Sequence, residues 1–386
     1  MREEMRVLPS SLRFPDLPHW HDAEEYSESV ARLLIRAYDH LNRAPGELRS
    51  YGRAFDLLAQ AYSENMSIRQ RVHVCYVLGK ACMAIGQAPL AYDYFSEAIE
   101  LLLDPEDHID DIKALLHMAF FRATASSWQL KYREAANDLL ECRDILRALQ
   151  EADVTALATF AVNVLADLAG FEFMLERYGK AMEHLAEAGT LLPGIPQGEL
   201  GPAHVHWVWA LLHRWRGDLP RALHSAHIAA TLYASADSPV SFGRLQTVIG
   251  EVSLDLAEFF PEGDARNSYI MLSTPYTAQA LDLARSNADT TGGHLATMLD
   301  ARLTRLRGDG GNRVPLYECV IRYARSQKDI ALLTTAHTQL GYELNARGDA
   351  EQASVCFREA LASCERTEVS ALGVWARRAL RQSAGT

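Results

Sequence analysis

The chain has 386 residues, of which 48% are hydrophobic and 23% charged, with 23 Gly and 14 Pro; this composition excludes disordered and collagen-like classes. Its formal net charge of -12 argues against binding nucleic acid or anionic membrane over the whole surface. The length predicts two or three ordinary domains of about 100 to 200 residues each, unless the chain grows by stacking repeats.

In chain order, the charged start Met1–Arg6 runs into Pro9 and Pro15 with no apolar stretch of signal-peptide length. No run approaches the roughly 20 apolar residues of a membrane span. Cys75, Cys82, Cys142, Cys319, Cys356 and Cys364 are widely and irregularly spaced, without a C-x-x-C pair, so neither a zinc ribbon nor a disulfide framework is expected. Reduced thiols and a cytoplasmic location follow as expectations. From Asp22 onward apolar residues recur at three- and four-residue spacing and never alternate for long, which predicts an all-α protein. Asp22 to Leu41 and Glu47 to Tyr62 read as a first helix pair without the repeat signature found further on, an N-terminal cap or a diverged repeat.

Beyond that pair one spacing recurs. A small residue in the middle of one helix is followed twelve residues later by an alanine opening the buried face of the next: Gly79 and Ala91, Ala123 and Ala135, Ala169 and Ala181, Ala210 and Ala222, Gly341 and Ala353. Four residues after each alanine comes another apolar residue, Phe95, Leu139, Leu185, Ala226 or Phe357, and a small one comes three further on. Small residues at these places let antiparallel helices approach closely. Ile249-Gly250 opens a further copy, but the twelfth residue on is Glu262, so an insertion over 261–275 is expected before a partner helix near Tyr276 to Ser286. Leu295 to Leu306 and Pro315 to Arg325 read as another pair around Gly308 to Gly311, and Val369 to Leu380 as a capping helix.

These residues resemble the tetratricopeptide repeat signature W-x2-L-G-x2-Y followed by A-x3-F, most closely in Leu78-Gly79 with Ala91 and Phe95 and in Leu340-Gly341 with Ala353 and Phe357. The chain departs from it in lacking the first aromatic and in spacing its alanines 41 to 46 residues apart. The resemblance is to a divergent array like the helical sensor regions of bacterial regulators. It implies a right-handed superhelix, an α-solenoid of about six to seven helix pairs, organised as a capping pair over 1–66, a repeat array over 67–367 and a capping helix over 368–386.

Motifs for nucleotide binding, metalloprotease or serine hydrolase chemistry are absent from the sequence, so no catalytic residue and no cofactor is expected. Gly308 to Gly311 follows a helix without a preceding strand or a P-loop lysine and reads as a loop. His204, His206 and His213, like His19 and His21, lack a fourth ligand and read as seam histidines rather than a metal site. Asp104 to Asp111 lacks the glycine and the terminal glutamate of a calcium loop. Residues 291–386 hold 13 Lys plus Arg against 10 Asp plus Glu, and Arg302, Arg305, Arg307, Arg322, Arg325, Arg377, Arg378 and Arg381 form either a basic patch or a solvated face.

The remaining chemistry lies on one stripe. At 100° per residue, positions six before, three before and one after the small residue of each first helix point to one side. They read His73, Tyr76 and Lys80; His117, Phe120 and Thr124; Asn163, Ala166 and Gly170; His204, Trp207 and Leu211; Arg244, Thr247 and Glu251; Leu295, Met298 and Arg302; Thr335, Thr338 and Tyr342. Rings beside hydrogen-bonding groups can grip an extended peptide or a flat small molecule. The expected ligand-binding set is therefore His73, Tyr76, Lys80, His117, Phe120, Asn163, His204, Trp207, Arg244 and Glu251; the alternative for each aromatic is packing between repeats. The expected function is a non-catalytic binding and regulatory scaffold that takes a peptide, protein segment or small signal molecule in a concave groove, without direct nucleic-acid or membrane contact. An enzyme using the groove as an active site and a structural assembly subunit are the alternatives.

Overall fold

The computed structural model describes residues 5–7, 25–41, 48–84, 87–102, 109–149, 155–196, 198–236, 238–287, 289–365, 367 and 370–384. The chain divides into two compact units, Met1–Ile145 and Leu146–Thr386. The first opens with an antiparallel strand pair, β1 (Met5–Val7) and β2 (Glu25–Ser27), with Arg6 opposite Tyr26. Three helix pairs follow: α1 (Glu28–Leu41) with α2 (Leu48–Tyr62), α3 (Ile68–Ala84) with α4 (Ala88–Leu102), and α5 (Ile109–Trp128) with α6 (Tyr132–Leu149), whose last residues belong to the second unit. The second unit pairs α7 (Thr155–Met174) with α8 (Tyr178–Leu191), α9 (Leu200–Arg216) with α10 (Leu219–Ser235), α11 (Pro239–Phe259) with α12 (Asp264–Ser286), α13 (Thr290–Leu306) with α14 (Val314–Gln327), and α15 (Ile330–Ala346) with α16 (Ala350–Glu365). A 3-10 turn, Ser370–Gly373, leads into α17 (Val374–Ala384). The first unit thus holds three helix pairs and the second five plus a final helix, each unit with the stacked-pair architecture of an α-solenoid; the eight pairs among the described residues are one more than the upper expectation.

The twelve-residue spacing has the physical basis expected of it. A Cβ added to Gly79 or to Gly341 would lie 2.5 Å from the ring of Phe95 or Phe357, and both rings are buried. The missing side chain is what lets the second helix seat its phenylalanine against the first. Ala91 and Ala98 on α4, and Ala353 and Ala360 on α16, are likewise buried, so the small residues meet the partner helix and the ring fills the seam.

The same frame sets the turns. Seven residues after the small residue the backbone enters the left-handed region, at Leu130 (φ 63), Glu176 (φ 59), Gly217 (φ 81), Gly308 (φ 77) and Gly348 (φ 85). This residue stops the first helix and redirects the chain, and at Leu130, Glu176, Gly217 and Gly348 it lies five residues before the alanine of the next. Glycine adopts the conformation without strain, whereas Leu130 and Glu176 hold it at a cost. Leu130→Gly is therefore expected to stabilise the first unit by about 1 kcal/mol, visible as a higher denaturation midpoint; a lower midpoint would show that the Leu130 side chain contributes more than its backbone costs.

Two expectations need correction. Residues 264–275 are not a separate insertion but the first turns of α12, a 23-residue helix with Pro275 inside it. The buried pattern reappears at Ser273, Thr277 and Ala280, 23 residues after Gly250 rather than twelve. The additional eleven residues extend α11 by four residues at its end and α12 by six at its start relative to α15 and α16, with one more in the turn. Three turns of helix take up about eleven residues, so the lengthened pair keeps its register. Ile270, in this segment, is packed with Leu254, Ala257, Leu299 and Leu303. The second correction concerns α7: Leu157–Met174 is long and apolar enough to cross a membrane by length and composition. Its apolar surface goes instead into the core of the second unit, where Val162, Leu165 and Ala169 pack with Leu185 of α8 and Val205 of α9.

Candidate functional site

The first helices of the five pairs in the second unit, together with the C-terminal segment, surround a chamber of about 490 Å³. Its wall follows from helical phase. Leu211, Glu251, Arg302 and Tyr342 stand one residue after the small position of α9, α11, α13 and α15. Arg214, Trp215, Asp255 and Glu258, four, five and eight residues after it, fall within about 60° of the same direction. Glu258 exists only because α11 is longer than the other first helices; the extension that resembled an insertion supplies part of the chamber floor.

The floor is a chain of ion pairs. Asp255 accepts from Arg214 Nε at 2.7 Å and from Arg302 Nη2 at 2.7 Å. Glu251 pairs with Arg214, while Glu258 accepts from Arg302 at 2.7 Å and from Arg305 at 3.1 Å. The Arg302 side chain is 6% exposed. Burial alone would raise the Asp255 carboxyl, but the two guanidiniums outweigh it and hold Asp255 below the usual carboxylate range. Burial opposes the charge on Arg214 and Arg302, and the surrounding carboxylates more than restore it.

The rest of the wall is aromatic and amide. Phe173, Leu372 and Trp375 provide apolar surface, and Thr335, Thr338 and Gln339 of α15 a polar edge. Trp215 stacks on Tyr178 with ring centroids 3.5 Å apart. The Trp215 indole N–H and the Gln339 amide oxygen have no hydrogen-bond partner among the described residues. The C-terminal segment closes the ring: Arg377 bonds Glu176 at the α7–α8 turn at 2.7 Å. The Tyr342 hydroxyl donates to the Trp375 carbonyl at 3.4 Å, and Arg214 lies 5.9 Å from the Trp375 ring centroid.

Of the ten ligand-binding residues expected from the stripe, Glu251 lines this chamber. In the first unit, His73 is fully buried and its Nε2 lies 3.1 Å from the Tyr38 hydroxyl. Tyr76 is buried edge-on against Phe121, and Lys80 donates to the Tyr76 hydroxyl. His117 and Phe120 are half-buried on α5, with Phe120 edge-on to Phe121. In the second unit, Asn163 sits beside Gly201, His204 lies 3.3 Å from Asp167, and Trp207 packs on Tyr233. Arg244 is paired with Asp289, whose carboxylate also accepts from Gly292 at the start of α13. From the wider stripe, Leu211, Arg302, Thr335, Thr338 and Tyr342 do reach the chamber. Arg214, Trp215, Asp255, Glu258 and Trp375 were missed; all but Trp375 continue the same phase toward the helix C-termini, which was the available signal.

The C-terminal arginines do not make one basic patch, since Arg302 and Arg305 turn onto Glu258 and Arg377 onto Glu176. No group of three or more His, Cys, Asp or Glu among the described residues could hold a metal ion; His19, His21 and residues 104–108 lie outside them. Gly308 to Gly311 is a turn tied down by Arg347, which donates to Asn312 and to the Gly311 carbonyl. All six cysteines are free thiols and five are buried.

Five histidines of the second unit, His206, His213, His227, His294 and His337, have burial as the main cause of a lowered pKa. A depressed folded pKa means that the unfolded chain binds more protons. The stabilising contribution is then complete above the ordinary value of about 6.5 and is lost as pH falls through the folded values. Denaturation midpoints are expected to decline steadily from about pH 7 to pH 5; a flat profile would show these rings to be as easily protonated folded as unfolded.

The repeat frame and the ring of first helices define the class: a divergent tetratricopeptide-like repeat protein. No protein-family model matches the sequence, and no curated protein matches it. Among solved structures, the chain is similar to a Rap protein complexed with competence and sporulation factor, at 15% identity and a TM-score of 0.65 over 88% of this chain and 85% of that one. It is also similar to aspartyl phosphate phosphatase F from Bacillus subtilis, at 12% identity and 0.62 over 91% and 84%. A third similar structure is the Rap conjugation gene regulator of plasmid pLS20 in complex with the Phr* peptide, at 13% and 0.60 over 87% and 95%. At these identities the likeness is one of fold.

Proposed function

We propose that the chain is a non-catalytic, cytoplasmic regulatory protein that binds a short peptide in the chamber of its second unit. The observation that carries this reading is the pair of unpartnered groups in the wall, the Trp215 N–H and the Gln339 amide oxygen. A donor and an acceptor without partners among the described residues match the carbonyl and N–H of a peptide backbone, whereas an apolar ligand would leave both unsatisfied. Leu211, Phe173, Leu372 and Trp375 offer apolar surface for side chains, and the chamber volume lies in the range of small-ligand sites, about 300 to 1,000 Å³. Glu251, Arg302, Thr335, Thr338 and Tyr342 are the stripe residues assigned to the ligand.

The floor favours binding over catalysis. Each of its three carboxylates is clamped by a guanidinium, and Thr335 and Thr338 donate back to carbonyls of their own helix. Among the described residues that line the chamber, no carboxylate base therefore stands free beside a nucleophile. Two of the fold relatives are complexes with a factor or a peptide, which supports the same reading. The test is affinity selection of short peptides from a mixed library by the purified protein. Selected peptides are expected to bind Trp375→Ala and Gln339→Leu roughly tenfold or more weakly than wild type. A library that yields no binder, or variants that bind like wild type, would overturn the assignment.

A further inference from the structure

Helix α11 has a second lined face. Phe242, Gln246 and Ile249 stand nine, five and two residues before Glu251, about 140 to 180° around the helix from it. They form the base of a groove of about 540 Å³ between α10 and α12, separate from the chamber. On the α10 side the small Ala230 and Ala234 leave room beside His227 and Thr231, and on the α12 side Tyr276 faces His227 edge-on with ring centroids 5.6 Å apart. Gln246 is 2% exposed, yet its amide oxygen has no hydrogen-bond partner among the described residues.

A buried, unsatisfied amide acceptor under a mouth framed by rings is costly for the free protein and selective for what enters. An apolar molecule would leave the oxygen unpaired. A charged one would have to be desolvated among Ala230, Ala234, Phe242 and Ile249 with no counter-charge among the groove residues. A planar ring carrying one polar N–H meets both demands: its faces and edges pack against His227, Tyr276 and Phe242, and its single donor reaches the acceptor. We propose that this groove is a second binding site, independent of the chamber, for a small planar heteroaromatic molecule whose ring N–H donates to the Gln246 amide.

The probe is indole, compared with 1-methylindole, which has the same ring without the donor. Ligand-observed NMR titrations on the full chain should show indole binding at least about fivefold tighter than 1-methylindole, the loss set by one unmet hydrogen bond. In Gln246→Met, which keeps the side-chain length and removes the acceptor, the two ligands should bind alike. Tyr276→Ala, which removes a half-buried wall residue, should weaken both. Equal affinities in the wild-type protein, no indole binding at millimolar concentration, a preference that persists in Gln246→Met, or affinities unchanged by Tyr276→Ala would each overturn the assignment. The last two outcomes would place the ring elsewhere, including in the chamber.

Discussion

Asp255→Ala is expected to destabilise the second unit by about 3 kcal/mol, the low end of the range for removing one partner of a buried ion pair. The carboxylate is shared: it satisfies Arg214 and Arg302 at once, both at 2.7 Å. Without it two largely buried guanidiniums lose their shared counter-charge, and each keeps only one flanking carboxylate, Glu251 or Glu258. For a unit of this size the loss corresponds to a fall of roughly 6 to 12 °C in Tm. The exposed pair of Arg147 with Glu187, whose side chains are 51% and 29% accessible, provides the control. Breaking it should cost under about 1 kcal/mol, because water screens both charges and each stays solvated when alone. If the two substitutions cost the same, the floor network is no more than a set of surface contacts. Because Asp255 titrates below the usual carboxylate range when folded, its contribution is present above about pH 4 and is lost on further acidification. The Asp255→Ala deficit should therefore shrink at low pH.

Gly341→Leu and Gly79→Leu are each expected to destabilise their own unit by about 1 to 3 kcal/mol through overpacking. Even the first added carbon would meet the ring of Phe357 or Phe95 at 2.5 Å, and neither ring has space to retreat, being buried between two helices. The double variant Gly341→Leu with Phe357→Leu should recover part of the loss, since the smaller side chain gives the new one room. Gly170, on α7, has nothing within 4 Å of an added Cβ, and Gly170→Ala should be neutral or slightly stabilising. Thermal melts of these four proteins separate the explanations. Equal behaviour at Gly341 and Gly170 would mean that the spacing does not mark close helix approach.

The repeat frame was legible because it depends on residues that must be small. Gly79, Ala169 and Gly341 lie where two backbones meet, and nothing larger fits there, so the spacing survives when the larger core residues vary. The lengthened pair was misread for the opposite reason. A fixed spacing cannot register a change that adds whole helical turns, although the buried Ser273, Thr277 and Ala280 preserve the pattern eleven residues late. On α9, α11 and α13 the chamber lining begins at the last stripe position, whereas on α15 the early Thr335 and Thr338 reach it as well. Other early positions, such as Tyr76 and Trp207, point in the direction of the stripe yet meet Phe121 and Tyr233 of neighbouring helices. Late positions such as Glu251 and Arg302 line open space. Periodicity fixes the angle around a helix and carries no information about where along it the neighbours end. Trp375 lay beyond this logic altogether, because its place in the wall depends on a C-terminal helix that reaches Glu176, 201 residues earlier in the chain.

The most direct test of the chamber as the ligand site is hydrogen–deuterium exchange of the full chain with and without a library-selected peptide. Binding there should slow exchange in the C-terminal halves of α9, α11 and α15 and in residues 371–375, while the early turns of α3, α5 and α9, which carry His73, His117 and His204, exchange as before. Protection confined to the first unit, or centred on the early turns around His204 and Trp207, would contradict the account and return the site to the early part of the stripe.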